Sequence, residues 1–251
     1  RWIMTTVVIM PARRASAHSL RSRVVRAFVL FQAIPCRQAA PAGGSHQWAV
    51  VFDGGSTGTR AYVYQYTLRP GQQLPKLHTE ANWNMKVKPG LSSFAERPHT
   101  VADGYLRPLL DFAAHIVPQA EQARAKVLLR ATAGMRLVPP AAQQQIYDAL
   151  FEAVRAHGAF TPTRALFGTL SGEDEGVFGW LAVNQLLLQA HKIAPAQLGK
   201  MGALDLGGGS TQITFAPPKG GIAVASAPLP GGALPVFTHS HLGFGNKQAL
   251  A

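Results

Sequence analysis

The sequence predicts a mixed α/β fold built from two related halves. Short apolar segments typical of buried strands alternate with amphipathic segments typical of helices, as in a sheet covered by helices. One unit also occurs twice, ending its first strand at Asp53 and again at Asp205. In each copy a glycine-rich turn carrying Ser-Thr follows the aspartate, and β-type residues then resume. Because an internal repeat indicates duplicated structure, each half is expected to present one glycine-rich hairpin.

The first half is predicted to span residues 47–163 and to begin with a buried strand at 48–52. The turn 53–60 cannot continue a regular element, and a second strand follows at 61–66, so this unit is predicted as a hairpin. Proline, glycine and asparagine make 67–100 a predicted loop. The remaining predicted elements are a helix at about 101–116, a strand at 126–130 and an amphipathic helix at 143–157.

The second half is predicted to span 164–251 and to open with a strand at 165–167. A long helix follows from Ser171, where Ser171 and Asp174 have the spacing of a capping box. The second copy of the repeated unit comes next, with strands predicted at 201–206 and 212–215.

Residues 1–46 are predicted to be a leader. The net charge is +12, yet the first acidic residue is Asp53, so much of the excess lies in this leader. The leader has basic residues, then the apolar run 27–34 and then small residues, an order typical of a secretory signal peptide. The alternatives are a retained membrane anchor and a mitochondrial transit peptide. No dense basic run with interleaved aromatic residues follows, which argues against a nucleic-acid partner. Cys36 is the only cysteine, so the body has no disulfide framework.

Both glycine-rich turns have the composition of phosphate-binding loops. Glycines let backbone N–H groups approach a ligand closely, and hydroxyl groups add donors. A single turn of this kind is more often an ordinary hairpin, but two matched turns in one chain favour binding to successive phosphates of a polyphosphate. The candidate phosphate-binding residues are Gly55, Ser56, Thr57 and Gly58 in the first turn and Gly207, Gly208, Gly209 and Ser210 in the second.

Carboxylates near these turns are candidates for metal binding and catalysis. Asp53 and Asp205 each end a strand at a turn, where a carboxylate beside phosphate is repelled unless a cation lies between, so the sequence predicts Mg²⁺ or Ca²⁺ held partly through water. The presence of acidic residues at Glu173 and Asp174 is explained by the helix N-terminus, where the helix dipole favours negative charge. Glu175 lies beyond the capping box and is the candidate base that deprotonates an attacking water.

Two other positions have simpler interpretations. From the residues alone, Thr132 is interpreted as the cap of a strand-to-helix turn. His239 and His241 alternate as strand neighbours would, and with no third ligand in view they are interpreted as surface or packing residues.

Four ordered segments resemble the signature regions of the ecto-apyrase, or nucleoside triphosphate diphosphohydrolase, family. They are VVFDGGSTGTRAYVY, LLRATAGMR, LSGEDEGVFGWLAVNQLL and GALDLGGGSTQITF. The segment 238–250 is similar to the family segment that follows them, so the resemblance covers residues 48–250. Four motifs in order are far more specific than any one of them.

The resemblance implies an actin-like (ribonuclease H-like) two-domain ATPase fold with duplicated phosphate-binding hairpins. It also implies hydrolysis of the terminal phosphate of nucleoside di- and triphosphates with Ca²⁺ or Mg²⁺, without a phosphoenzyme. Glu175 matches the family's catalytic base. Asp53 and Asp205 match the ligands of metal-bound water, and Thr132 matches a residue that reaches the same water shell.

The resemblance also leaves alternatives open. The family's fifth signature region and nucleobase-binding residues have no counterpart before Ala251, so the second domain is expected to be truncated. One alternative is therefore a non-catalytic nucleotide-binding fragment. Another is an exopolyphosphatase-type phosphatase of the same superfamily, which shares the glycine-rich loops; the stretch 132–136 and Gly179-Trp180 favour the apyrase branch instead.

Overall fold

The computed structural model describes residues 46–67, 75–194, 197, 200–229 and 232–246. The predicted leader therefore lies outside the described residues, apart from His46. The described chain forms two compact units, which divide between Leu170 and Ser171.

The first unit contains a six-stranded sheet. Its strands run in the order β3-β2-β1-β5-β6, and β4 pairs with β2 beside β3. The pairs β1–β5 and β5–β6 are parallel, and the pairs made by β2 are antiparallel. The strand bounds are β1 Gln47–Gly55, β2 Gly58–Thr67, β3 Lys76–His78, β4 Asn84–Val87, β5 Lys126–Ala131 and β6 Phe167–Thr169.

The described residues of the same unit form four α-helices: α1 Arg107–Ile116, α2 Gln119–Gln122, α3 Ala133–Arg136 and α4 Pro140–His157. Shorter 3-10 turns cover Leu91–Phe94, Pro98–Val101 and Arg164–Leu166, and a π-helical turn covers Ala102–Leu106. The segment predicted as a loop at 67–100 thus contains the strands β3 and β4. Both strands are too short to show a clear alternation of apolar and polar residues in the sequence. The helix predicted at 101–116 forms its α-helical part only from Arg107 onward.

The core of the first unit lies between its sheet and its helices. Val50 and Phe52 of β1 are fully buried, as the apolar run of that strand predicts. On α4 the predicted apolar side is also buried, with Ile146, Leu150 and Val154 all inaccessible. Burial of each such side chain contributes roughly 1.5–3 kcal/mol, so this core keeps β1 and its hairpin in place.

The second unit is a four-stranded antiparallel sheet with one long helix against it. The strands β7 Ala203–Leu206, β8 Ser210–Phe215, β9 Ala225–Leu229 and β10 Gly232–Leu242 run in the order β7-β8-β10-β9. The helix α5, Gly172–Gln189, packs on this sheet through a small apolar core that includes Val177, Trp180 and Val236.

The beginning of α5 agrees with its predicted cap. The Ser171 hydroxyl accepts a hydrogen bond from the Asp174 backbone N–H at 2.9 Å. The division between the units differs from the predicted one, because 164–166 is a 3-10 turn and β6 pairs with β5 in the first sheet. That parallel pairing keeps residues 164–170 with the first unit, where the sequence division assigned them to the second half.

Candidate functional site

The first glycine-rich hairpin has a two-residue turn, shorter than the predicted turn 53–60, because the strand pairing continues to Gly55 and Gly58. Gly55 at the end of β1 is paired with Gly58 at the start of β2, so Ser56 and Thr57 occupy the two turn positions. Ser56 is exposed and Thr57 is half-buried. Both hydroxyl-bearing residues therefore stand at the tip of the hairpin, while Asp53 lies two positions before Gly55 on β1.

Close backbone packing explains the glycines around this turn. Gly58 has φ +150°, and a Cβ added there would lie 2.2 Å from the Val87 carbonyl oxygen. A Cβ at Gly90 would lie 2.7 Å from the Ser56 carbonyl oxygen. Because side chains cannot fit at these distances, the turn is held tightly against the segment that follows β4.

Lys86 is a residue of this site that the sequence interpretation missed. It lies on β4, within the segment predicted as a loop, and its Nζ donates a hydrogen bond to Thr57 Oγ1 at 3.1 Å. In the sheet Lys86 is paired with Arg60, which is itself paired with Asp53 on β1. Paired residues of neighbouring strands present their side chains to one face, so three charged groups share the face beside the turn.

Thr132 follows β5 and lies next to the same hairpin. Its backbone N–H donates to the Gly54 carbonyl at 3.2 Å, and a Cβ at Gly134 would lie 3.3 Å from Ser56 Cα. Thr132 occupies the N-cap position of α3, but its side chain makes no capping hydrogen bond. The interpretation of Thr132 as a side-chain cap is therefore wrong. In the first unit, the structure brings Asp53, the Ser56–Thr57 turn and Thr132 together.

Tyr105 forms hydrogen bonds to β2 and to the segment that packs against the turn. Its hydroxyl lies 2.8 Å from Thr59 Oγ1 and 2.6 Å from the Pro89 carbonyl oxygen. Burial is the main cause that raises the pKa of Tyr105 above its usual value, while the hydrogen bond to Thr59 opposes it. The phenol therefore stays protonated at neutral pH and can donate to the segment that packs against the turn.

The second hairpin has glycines at its tip instead of hydroxyl-bearing residues. Asp205 on β7 is paired with Gln212 on β8, and the Gly207 N–H donates to the Ser210 carbonyl at 2.9 Å. Gly208 and Gly209 form the two-residue tip. Gly209 is buried, but Gly208 is only half-buried and carries no side chain, so a ligand can approach its backbone directly.

The segment 243–246 packs on this tip. The Gly243 N–H donates to the Gly209 carbonyl at 3.0 Å, and the Asn246 N–H donates to the Gly207 carbonyl at 2.9 Å. A Cβ added at Gly245 would lie 2.3 Å from the Gly208 carbonyl carbon. Within the part of the chain that the structure describes, these backbone bonds use carbonyl groups of the tip, and none uses the N–H of Gly208.

Glu175 is joined to β8 through a glutamine. Gln212 Nε2 lies 3.2 Å from Glu175 Oε2, 2.7 Å from Ser210 Oγ and 2.9 Å from Ser240 Oγ. Gln212 is 1% exposed, and among the described residues its Oε1 has no hydrogen-bond partner. Gln212 and Ser240 were both missed by the sequence interpretation, because only the folded sheet places them beside Glu175.

A glycine on α5 sets the position of Glu175. A Cβ added at Gly176 would lie 2.3 Å from Thr238 Oγ1 and 2.6 Å from Thr214 Oγ1. These two hydroxyls are hydrogen-bonded to one another at 2.8 Å and are buried. The helix therefore approaches the sheet at Gly176, and the neighbouring Glu175 lies within hydrogen-bond reach of Gln212.

The donor set for a metal ion is sparse. The described residues contain no group of three or more His, Cys, Asp or Glu side chains that could hold a metal ion. Each hairpin is instead preceded by one aspartate, and Thr132 adds a hydroxyl. Mg²⁺ keeps several waters and binds through one or two carboxylates plus substrate phosphates, so the residues of the first unit, Asp53 and Thr132, fit a hydrated divalent cation better than a fully protein-bound one.

The fold and the two hairpins define a class of protein, an α/β protein with glycine-rich turns suited to phosphate groups. Comparison with known families makes this specific. The GDA1/CD39 (nucleoside phosphatase) family matches residues 40–251. The chain belongs to this family, as its sequence motifs predict.

Curated relatives agree with the family assignment. The chain is 33% identical over 231 residues to the Golgi apyrase of Saccharomyces cerevisiae, which covers 81% of this chain and 37% of the yeast protein. It is 36% identical over 211 residues to the human nucleoside diphosphate phosphatase ENTPD5, covering 80% of this chain and 47% of the human protein. The chain thus spans less than half the length of these relatives.

A solved structure shares the fold. The crystal structure of nucleoside triphosphate hydrolases from Neospora caninum matches with a TM-score of 0.51 at 20% identity, covering 91% of this chain and 49% of that one. The mixed α/β fold is therefore confirmed. The actin-like two-domain arrangement, the role of the duplicated hairpins and the truncation of the second domain stay predictions.

Proposed function

We propose that the protein hydrolyses the terminal phosphate of nucleoside di- and triphosphates. The observation that carries the proposal is the hydrogen bond that Gln212 donates to Glu175 at 3.2 Å. Gln212 lies on β8, the strand that follows the second glycine-rich turn. A carboxylate beside a turn with accessible backbone amides can activate water next to a bound phosphate. Relatives named as an apyrase and a nucleoside diphosphate phosphatase support the substrate class.

In the proposed reaction Glu175 is the general base. A water that donates a hydrogen bond to Glu175 would present its oxygen to the terminal phosphorus, while the Gln212 amide, which donates to Glu175 Oε2 at 3.2 Å, orients the carboxylate. Glu175 takes a proton as the water oxygen forms the new P–O bond. The bond between that phosphorus and the bridging oxygen breaks, and the shortened nucleotide leaves with the bonding electrons.

Phosphate binding is assigned to both turns. In the second hairpin, the Gly208 N–H and the Ser210 hydroxyl would supply donors, while Gly207, whose N–H bonds the Ser210 carbonyl, and Gly209 would give the loop its shape. In the first hairpin, the donors are the backbone of Gly55 and Gly58 and the hydroxyls of Ser56 and Thr57. The Lys86 ammonium, 3.1 Å from Thr57 Oγ1, adds a positive charge where phosphate would bind.

A divalent cation, Ca²⁺ or Mg²⁺, is proposed to belong to the reacting complex. When bound, such a cation neutralises charge that develops on phosphate oxygens. Asp53, Asp205 and the Thr132 hydroxyl are the residues proposed to hold it, mainly through water. The proposal is supported by the proximity of Asp53 and Thr132, which lie on or directly after neighbouring parallel strands, since Gly54 is paired with Ala131.

We place the protein in the secretory pathway or outside the cell. The support comes from the relatives, one of which is named a Golgi apyrase. Within the described ranges, no helix has the length and apolar character required to cross a membrane.

The proposal is tested by measuring phosphate release from ATP, ADP and polyphosphate with Ca²⁺ or Mg²⁺. The protein is expressed from the complete natural reading frame that encodes these residues. We expect release from the nucleotides that depends on the cation. Release from polyphosphate alone would move the protein to the exopolyphosphatase type, and binding of nucleotide without release would show a non-catalytic binding protein.

The matched variants are Glu175→Gln and Glu173→Gln. Both remove one charge from the first turn of α5, but Glu173 is exposed and only Glu175 contacts Gln212. Removal of a general base typically lowers the rate by about 10²–10⁴-fold. Equal activity in the two variants would contradict the role of Glu175.

A further inference from the structure

We propose that His239 and His241 form a two-imidazole binding site for a transition-metal ion, with Cu²⁺ as the preferred ion. The site lies on β10, on the face of the sheet turned away from α5. It is separate from the divalent cation proposed for the reaction and does not depend on the proposed function.

The alternation along β10 fixes the face of the two histidines. Thr238 is buried against Gly176 of α5, and the Ser240 hydroxyl contacts Gln212 on the same side. His239 and His241, which alternate with them, therefore point to the other side. His239 is exposed and His241 is half-buried, so both rings are accessible from solvent.

The separation of the rings matches two ligands of one ion. Their centroids are 4.4 Å apart with an interplanar angle of 73°. With a metal–nitrogen bond of about 2.0 Å and a centroid about 1.1 Å beyond the nitrogen, two imidazoles at a right angle around an ion have centroids about 4.4 Å apart. A tetrahedral angle would place them about 5.1 Å apart.

The centroid separation, which suits two ligands at a right angle, bears on which ion the pair would prefer. Square-planar and tetragonal sites are typical of Cu²⁺ and Ni²⁺, whereas Zn²⁺ favours tetrahedral ones. Affinity for nitrogen ligands also rises towards Cu²⁺ across the first-row divalent ions. Two protein ligands leave the other positions to water, so the site is expected to bind more weakly than a structural four-ligand site.

The ring nitrogens of this pair are not engaged elsewhere in the described structure. His157 Nε2 lies 3.0 Å from Asp111 and His78 Nε2 lies 3.1 Å from Glu80. Across the described ranges, by contrast, no hydrogen bond or ion pair involves either ring of the β10 pair. Their ring contacts are with one another and between His241 and Phe244, whose centroids are 6.2 Å apart.

The strand is rigid enough to hold the pair together. β10 is hydrogen-bonded to β8 with His239 opposite Ile213 and His241 opposite Thr211. Thr211 Oγ1 also donates to the Phe244 carbonyl at 2.6 Å just beyond the strand. Binding a metal therefore requires only small side-chain rotations, since the backbone already places the two rings side by side.

The test is a Cu²⁺ titration of the protein followed by electron paramagnetic resonance, with glycine as a competing ligand. We expect one strong site whose spectrum shows coupling to two imidazole nitrogens. Ni²⁺ and Zn²⁺ should compete more weakly. A spectrum with one imidazole nitrogen, or Zn²⁺ binding more tightly than Cu²⁺, would overturn the proposal.

Single variants separate the pair from the other histidines. His239→Gln and His241→Gln should each weaken Cu²⁺ binding by at least about tenfold, because each removes one of two ligands. His99→Gln and His115→Gln, at exposed positions, should leave the strong site unchanged. Circular dichroism confirms that the variants are folded. Loss of binding in only one β10 variant, or in neither, would show that the pair does not chelate one ion.

Discussion

The hairpin at Ser56 and the hairpin at Gly208 differ in where their glycines stand. In the first, Gly55 and Gly58 flank a tip made of two hydroxyl-bearing residues. In the second, glycines form the tip itself and the hydroxyl-bearing residue Ser210 begins the next strand. The same sequence pattern, an aspartate followed by Gly and Ser-Thr, thus gives side-chain donors in one turn and backbone donors in the other.

The side chains around the two hairpins also differ. The first tip contacts the Lys86 ammonium, which suits binding of negative charge. The strand after the second tip carries Gln212, which contacts Glu175 and suits activation of water. The comparison therefore supports the proposal that the first hairpin binds phosphate, while the second combines binding with chemistry.

The largest effect is expected when the link to Glu175 is removed. Gln212→Leu deletes the buried amide that contacts the carboxylate, so kcat should fall by about 10²–10³-fold, as when one aligned polar group is lost from an active site. Steady-state phosphate release measures this. Gln185→Leu, at another buried glutamine of the same unit, should stay within about threefold of the unmodified enzyme. A similar loss in both variants would mean that packing and not the amide is responsible.

The next effect is on the stability of the first hairpin. Gly58→Ala places a Cβ 2.2 Å from a backbone oxygen at a φ of +150°, so the free energy of unfolding should fall by about 3 kcal/mol or more. Urea denaturation measures the change. Gly104→Ala is the matched control, because no atom lies within 4 Å of the added Cβ. A cost below about 1 kcal/mol for Gly58→Ala would show that the turn can relax.

A smaller loss is expected where α5 meets the sheet. Gly176→Ala puts a Cβ 2.3 Å from Thr238 Oγ1, and overpacking of this kind costs about 1–3 kcal/mol. The helix should shift away from Gln212, so kcat should fall together with stability. Adding Thr238→Ala removes the crowded hydroxyl and should restore part of both. If activity is unchanged in Gly176→Ala, the spacing between Glu175 and Gln212 is not critical.

The smallest effect is expected for Lys86, whose removal should change substrate binding and not the chemical step. Lys86→Met removes the ammonium beside Thr57 but keeps much of the side-chain length, so KM should rise about tenfold, or about 1.4 kcal/mol, with kcat little changed. Lys88→Met alters an exposed lysine two residues away and should have no such effect. A fall in kcat without a change in KM would assign Lys86 to the chemical step instead.

Local sequence signals were sufficient for the hairpins and for the cap of α5. An apolar strand, a glycine turn and a second strand are adjacent in sequence, and Ser171 meets Asp174 within one helical turn. These features depend on backbone preferences over a few residues. The aspartates, the turn residues and Glu175 could therefore be proposed before the fold was known.

The residues that the sequence interpretation missed depend on long-range pairing. Lys86 contacts a residue 29 positions away, and Gln212 contacts residues 37 and 28 positions away. The first contact requires β4 to pair with β2, and the others require α5 and β10 to lie beside β8. No local pattern reports such neighbours. The position of β6 was missed for the same reason, since its pairing with β5 is parallel and distant in sequence.

A double-mutant cycle tests most directly whether Glu175 is the base and whether Gln212 acts by orienting its carboxylate. Phosphate release from ATP is measured for the unmodified protein, Glu175→Gln, Gln212→Leu and the double variant. Groups that act as a unit give non-additive losses, so the double variant should be about as slow as Glu175→Gln alone. If the two losses multiply, Gln212 does not act through Glu175. If Glu175→Gln is as active as Glu173→Gln, the assignment of Glu175 as the base is contradicted.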